Sequence, residues 1–146
     1  MSLQKIHDYI ELSREIRDNY QSLVSFDMKD YPRLGFDLSV ITLNLGRQKG
    51  HSTYIQRHAV GDDVVVLFNF VIMNRTIMSF QRGLRIYIGT NVDLWRENND
   101  IFTQAKNIWI DDYSAYPQDK KERMTQAYLP IYLNRRHQDQ NIIQLG

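Results

Sequence analysis

The sequence predicts a three-layer α/β domain built on a mostly parallel sheet of about five strands. Three observations carry that expectation. Short apolar, β-branched runs alternate with helically periodic segments about five times along the 146 residues, an order that covers both faces of a parallel sheet with helices. The apolar run that begins at Val40 stops at Gly46, and a basic turn then leads into a helix start at His51. A later apolar run, Asn107–Ile110, ends in Asp111-Asp112. Ligands of such sheets bind beyond the carboxyl ends of the strands, and Gly46, Gly89-Thr90 and Asp111-Asp112 all fall at such ends.

Residues 3–24 read as an amphipathic helix on or beside the sheet, with Leu3, Ile6, Ile10, Leu12, Ile16, Tyr20 and Leu23 as its apolar face. Residues 25–36, with Asp27, Asp30, Pro32 and Gly35, read as a connection. Residues 38–45 are the first buried strand. A two-turn helix runs from His51 to Ala59 or Val60, and Gly61-Asp62-Asp63 ends it. VVVLFNF, Val64 to Phe70, is a continuous apolar run suited to a strand buried on both faces. Residues 72–81 read as a short helix before Gly83, and 84–88 as a strand. Asn91 caps a helix through Lys106, with Val92, Leu94, Trp95, Ile101, Phe102 and Ala105 turned inward. Asn107–Ile110 is a strand, 118–134 a helix that Pro130 bends or ends, and 141–145 a last strand.

Composition bounds the function. Net charge is +1, so bulk electrostatics favour neither nucleic acid nor a membrane surface. The absence of cysteine excludes disulfides, thiolate zinc sites and cysteine nucleophiles. No apolar run nears the roughly 18 residues of a membrane span. The opening MSLQKIHDYIELS has no signal-peptide core, so a cytoplasmic protein is expected, and one without a membrane partner. The four histidines, His7, His51, His58 and His137, have no compact metal-ligand spacing and read as isolated.

The chemistry concentrates in VITLNLGRQKGHST, Val40 to Thr53. Strand, glycine-bearing turn and Ser/Thr at a helix start together wrap a phosphate, because backbone N–H groups converge in the turn and the helix dipole points at the anion. The full pattern is G-x-x-x-x-G-K-[ST]. Here Leu45 stands at the first Gly and His51 at the Lys. About sixty residues on, Asp111-Asp112 closes a hydrophobic strand, where an acid holds Mg²⁺ and a neighbouring acid orients water.

NLGRQKGHST resembles the phosphate loop of the ATPase half of viral large terminase subunits and, less closely, that of helicase-type P-loop ATPases; IWIDDYSAYP resembles their metal-binding strand. The resemblance implies a P-loop NTPase-like fold with a degenerate Walker A motif, ATP or another NTP as ligand, and Mg²⁺. It implies that Gly46, Gln48 and Gly50 shape the loop, with Lys49, His51, Ser52 and Thr53 also facing the phosphates. Arg47 would act on the γ-phosphate, Ser52 and Asp111 would hold the metal, and Asp112 would stand at the catalytic acid position. Three departures weaken hydrolysis: His51 replaces the phosphate-bridging lysine, Asp112 is one methylene shorter than the usual Glu, and no adenine-reading Gln accompanies Asp30-Tyr31-Pro32.

The expected function is therefore that of a small viral protein of the host cytoplasm that binds a nucleotide or phosphorylated ligand, with weak or lost hydrolysis. The alternative is a non-enzymatic module that keeps the fold and binds a protein partner as a decoy or inhibitor. A third reading, nucleic-acid contact, rests on Arg135-Arg136-His137 and on Arg75, Arg82 and Arg85.

Overall fold

The computed structural model describes residues 2–23, 32–44, 50–89 and 92–146. In order these form α1 (Leu3–Leu23), α2 (Pro32–Ser39), β1 (Val40–Leu43), α3 (His51–His58), β2 (Val64–Leu67), α4 (Phe70–Thr76), β3 (Arg85–Ile88), α5 (Val92–Glu97), α6 (Asn99–Gln104), β4 (Asn107–Ile110), α7 (Gln118–Leu133) and β5 (Asn141–Leu145). The five strands make one sheet in the order β1-β5-β4-β2-β3, and every pairing is parallel. Among the described residues, no helix is long and apolar enough to cross a membrane.

Successive strand side chains point to opposite faces, and both faces here are apolar. Val64, Val66, Ile108, Ile110 and Ile142 pack with Phe36 of α2, Trp95 of α5, Phe102 of α6 and Met124, Tyr128 and Ile131 of α7. Val65, Leu67, Trp109, Ile143 and Leu145 pack on the other face with Ile6 and Ile10 of α1 and Tyr54 and Ile55 of α3. The result is three layers, helix–sheet–helix.

Several elements differ from the sequence expectation. The connection at 25–36 contains a helix: α2 begins at Pro32, whose fixed φ suits a first helical turn. Residues 25–31 lie outside the described residues. The run Val64–Phe70 is a strand only to Leu67, because Asn69 Oδ1 accepts the N–H of Ile72 and starts α4 at Phe70. The segment 72–81 is the rest of α4 followed by a 3-10 turn, Ile77–Ser79. The expected helix 91–106 is two, α5 and α6, hinged at Asn98. Trp95, Phe102 and Ala105 are buried as expected. Asn91 and the side chains of Val92 and Leu94 lie outside the described residues.

Helix α1 has its expected span but a shifted inner face. Leu12 and Ile16 are 54% and 53% exposed, whereas Arg17 is buried. Its guanidinium donates to the carbonyls of Asp139 and Gln140 and to Asn141 Oδ1, which is how a buried cation is tolerated. The side chains of Tyr20 and Leu23 lie outside the described residues.

Candidate functional site

The carboxyl ends of the parallel strands bring the ends of β1, β4 and β5 to one edge. Gly50, at φ +87, stands at the N-terminus of α3 without a side-chain cap, a conformation that glycine adopts at no steric cost. His51 and Ser52 open α3. Across from them β4 ends in Asp111, whose N–H donates to the carbonyl of Val66 on β2.

Four side chains meet there. Ser52 Oγ lies 3.0 and 2.9 Å from the two carboxylate oxygens of Asp111. His51 Nε2 lies 2.8 Å from Asp112 Oδ1 and 3.4 Å from Asp111 Oδ1. The N–H of Asp112 donates to Asp111 Oδ1 at 3.0 Å. Asp111 and His51 are 2% and 6% exposed, while the Asp112 side chain is 30% exposed. Asp112 has φ 52, the one positive φ outside glycine among the described residues. Aspartate tolerates that left-handed conformation better than most residues. Gly146 closes the site from the end of β5. A Cβ there would come within 3.1 Å of both Asp112 Cα and His51 Nε2, and its N–H donates to the Leu43 carbonyl of β1.

Burial pushes Asp111 up to about 6, with the Asp112 charge adding and His51 and the Ser52 hydrogen bond opposing. The hydrogen bond to Asp112 raises His51 above its ordinary 6.5 against the desolvation that lowers it, and the charges of Asp111 and Asp112 add to the rise. Both folded-state values are raised. Asp111 therefore contributes stability below 3.8 that is lost as pH rises through about 6. His51 contributes stability below 6.5 that is lost as pH rises through its higher folded value. A melting series should accordingly fall between pH 3.8 and about 6 as Asp111 ionises and again above pH 6.5 as His51 loses its proton, and His51→Gln should flatten the second fall alone.

The other predicted site residues divide into two groups. Gly46, Arg47, Gln48 and Lys49 lie outside the described residues. Thr53 is exposed on α3. His51, expected to face a phosphate in place of lysine, instead turns Nε2 onto both carboxylates. The sequence reading did not foresee Gly146 or Tyr116. Tyr116 Oη donates to the Leu67 carbonyl, 3.3 Å away. Gly89, at the end of β3, makes room for that ring: a Cβ there would stand 2.1 Å from Oη. The Tyr-Pro step after the acids was the available signal for Tyr116; no local sequence pattern marks Gly146. His7 and His58 also meet, with ring centroids 5.8 Å apart beside Tyr54.

No family model, curated protein or solved structure matches this chain.

Proposed function

We propose that this chain binds a nucleotide or another phosphorylated ligand with Mg²⁺ at the edge formed by α3 and β4, as a P-loop NTPase-like protein with weak or lost hydrolysis. The observation that carries the reading is the Ser52–Asp111 contact. A hydroxyl at the start of α3 and a buried carboxylate just past β4, 59 residues apart, meet at 2.9 Å. Their oxygens are the hard donors that Mg²⁺ takes, alongside waters and phosphate. The main-chain N–H groups at the start of α3, after a left-handed Gly50, are oriented for an anion. Magnesium would supply charge neutralisation at the phosphates. Ser52 and Asp111 would hold it, and Asp112 would face the water side.

Weak hydrolysis follows from His51. Asp112, the residue placed to orient water, is already hydrogen-bonded to the imidazole. His51 also holds the sequence position of the phosphate-reaching lysine, and electrostatic stabilisation of phosphate charge is most of the catalysis in this chemistry.

The test is thermal. Mg²⁺ with ATP, GTP or ADP at millimolar concentration should raise Tm, since ligand at 100 times Kd adds about 2.7 kcal/mol by linkage. Ser52→Ala should reduce the shift. No shift with any of the three nucleotides overturns the reading. His51→Lys then separates histories: hydrolysis gained from nothing marks a decayed ATPase.

A second reading, a protein-binding module, has its own observation. Phe70, Val71, Ile77 and Met78 are 66%, 56%, 43% and 89% exposed on α4 and the turn after it, beside the edge strand β3. Ile77 and Met78 line one surface hollow with Phe80, Leu84 and Ile86, and exposed apolar groups gathered in this way mark interaction surfaces.

A further inference from the structure

We infer that His51 Nε2, one oxygen of Asp111 and one oxygen of Asp112 form a binding site for a divalent transition metal of the Zn²⁺, Mn²⁺ or Co²⁺ class, occupied without any nucleotide. The site shares Asp111 and Asp112 with the proposed nucleotide site but does not depend on that reading.

Geometry comes first. One ligand atom from each of the three residues lies within 4.8 Å of the other two. The two imidazole-to-carboxylate distances are 2.8 and 3.4 Å. Metal–ligand bonds of about 2.0–2.2 Å at tetrahedral or octahedral angles put neighbouring ligand atoms roughly 3.0–3.5 Å apart, so small side-chain adjustments close the triad on an ion. The donor set then selects the metal. Imidazole suits zinc and the later first-row ions, whereas Mg²⁺ takes oxygen. A nitrogen with two carboxylates on one side leaves the remaining coordination positions for water or substrate.

Charge balance points the same way. Two adjacent carboxylates, one of them buried, face a single imidazole. With both carboxylates ionised, a protonated ring still leaves the group with one net negative charge; a divalent ion on a neutral ring balances it. The acids are also held for the purpose. Ser52 Oγ and the Asp112 N–H fix the Asp111 carboxylate, the outer support that orients metal ligands. Asp112 sits in a left-handed backbone conformation, a cost that recurs where a side chain must be aimed.

The other ring nitrogen, His51 Nδ1, is not the one that meets the carboxylates; it is buried with no hydrogen-bond partner among the described residues and calls for a water of its own rather than marking the metal position. The contrast to Asp111 and Asp112 is Asp63, whose carboxylate is fully engaged by protein donors and offers a metal nothing.

The experiment uses Co²⁺ and Zn²⁺ alone, with nucleotide omitted. Wild-type protein should give visible Co²⁺ d–d absorption that Zn²⁺ displaces, and a one-to-one Zn²⁺ isotherm. His51→Ala should abolish the absorption and weaken Zn²⁺ binding at least tenfold. Asp112→Asn, at the most exposed of the three ligands, should do the same and stands in if His51→Ala fails to fold, with Tm as the check. The His7–His58 pair is the competing location for Zn²⁺, so His58→Ala is the control. Binding that survives His51→Ala but is lost in His58→Ala overturns the inference, as does the absence of Co²⁺ absorption in the wild type. A Tm shift with Mg²⁺-ATP but no Co²⁺ or Zn²⁺ binding overturns this inference alone. Metal binding with no nucleotide shift leaves it standing while the nucleotide reading falls.

Discussion

Asp111→Asn should make the ligand-free protein more stable and at the same time abolish its binding of metal and of Mg²⁺-nucleotide. Asp111 is 2% exposed, and burial lifts its carboxyl from 3.8 to about 6. Above that value the folded chain holds a buried charge that water would have solvated in the unfolded chain. Its ionisation therefore costs stability as pH rises through about 6. Asparagine keeps an oxygen for the Ser52 hydroxyl and the Asp112 N–H but carries no charge. At pH 8 the gain should be about 1–2 kcal/mol, roughly 3–8 °C in Tm. The loss of attraction to His51 offsets part of it, and burial remains the largest cause. At pH 4, where Asp111 is protonated anyway, the gain should vanish. Binding should fall by 100-fold or more, because the substitution removes an anionic ligand shared by both proposed sites. Opposite signs for stability and binding are what a functional carboxylate produces. Equal destabilisation at pH 4 and pH 8 would instead make Asp111 a structural acid.

The sheet was the most legible part of the sequence. Val64–Leu67, Ile108–Ile110 and Ile142–Ile143 are β-branched or apolar and buried on both faces, so their hydrophobic runs are continuous and their positions stand out. Strand ends were less clear. VVVLFNF reads as one run, yet Asn69 satisfies an α4 N–H and turns the chain three residues early. Pro32 and Gly35 looked like breakers, yet a proline at the first helical position begins α2. On α1 the polar letters misled: Leu12 and Ile16 carry the apolar signal but face outward, while Arg17 is buried on carbonyls contributed by residues more than a hundred positions away. Local pattern holds no information about such partners.

The candidate site was legible in its components and not in its wiring. A phosphate-loop pattern placed Ser52 opposite Asp111, and the two are hydrogen-bonded. The pattern assigned His51 the role of an absent lysine. What it could not contain is that β5 separates β1 from β4, bringing Gly146 over the ring, or that the ring turns to the acids. Those facts depend on strand order, which periodicity does not encode.

Asp63→Ala should be the most destabilising single substitution at the opposite edge of the sheet, at about 3–5 kcal/mol, or roughly 10–20 °C in Tm. In sequence, Asp63 is the second acid of Gly61-Asp62-Asp63, read as the end of a helix. In the structure it is 2% exposed. It accepts the Asn107 N–H at 3.1 Å, the Trp109 indole N–H at 3.0 Å and the Val60 N–H at 3.2 Å. Alanine strands all three donors in the interior, and each unsatisfied group costs about 1–3 kcal/mol. The damage spreads along the amino ends of neighbouring strands, because Asn107 Oδ1 in turn accepts from Arg14 of α1 and from Asn141 of β5. Asp63→Asn keeps one acceptor and should lose less than half as much. Neither substitution touches the carboxyl edge. Measured at a temperature where the variant is folded, Co²⁺ absorption and any nucleotide-induced shift should match the wild type. That pairing with Asp111 assigns the two buried acids of this sheet opposite jobs, one bracing the strands at their amino ends and one held at a cost for chemistry at their carboxyl ends. Unchanged stability in Asp63→Ala would remove the bracing role and show that Arg14, Arg17, Asn107 and Asn141 hold that edge without it.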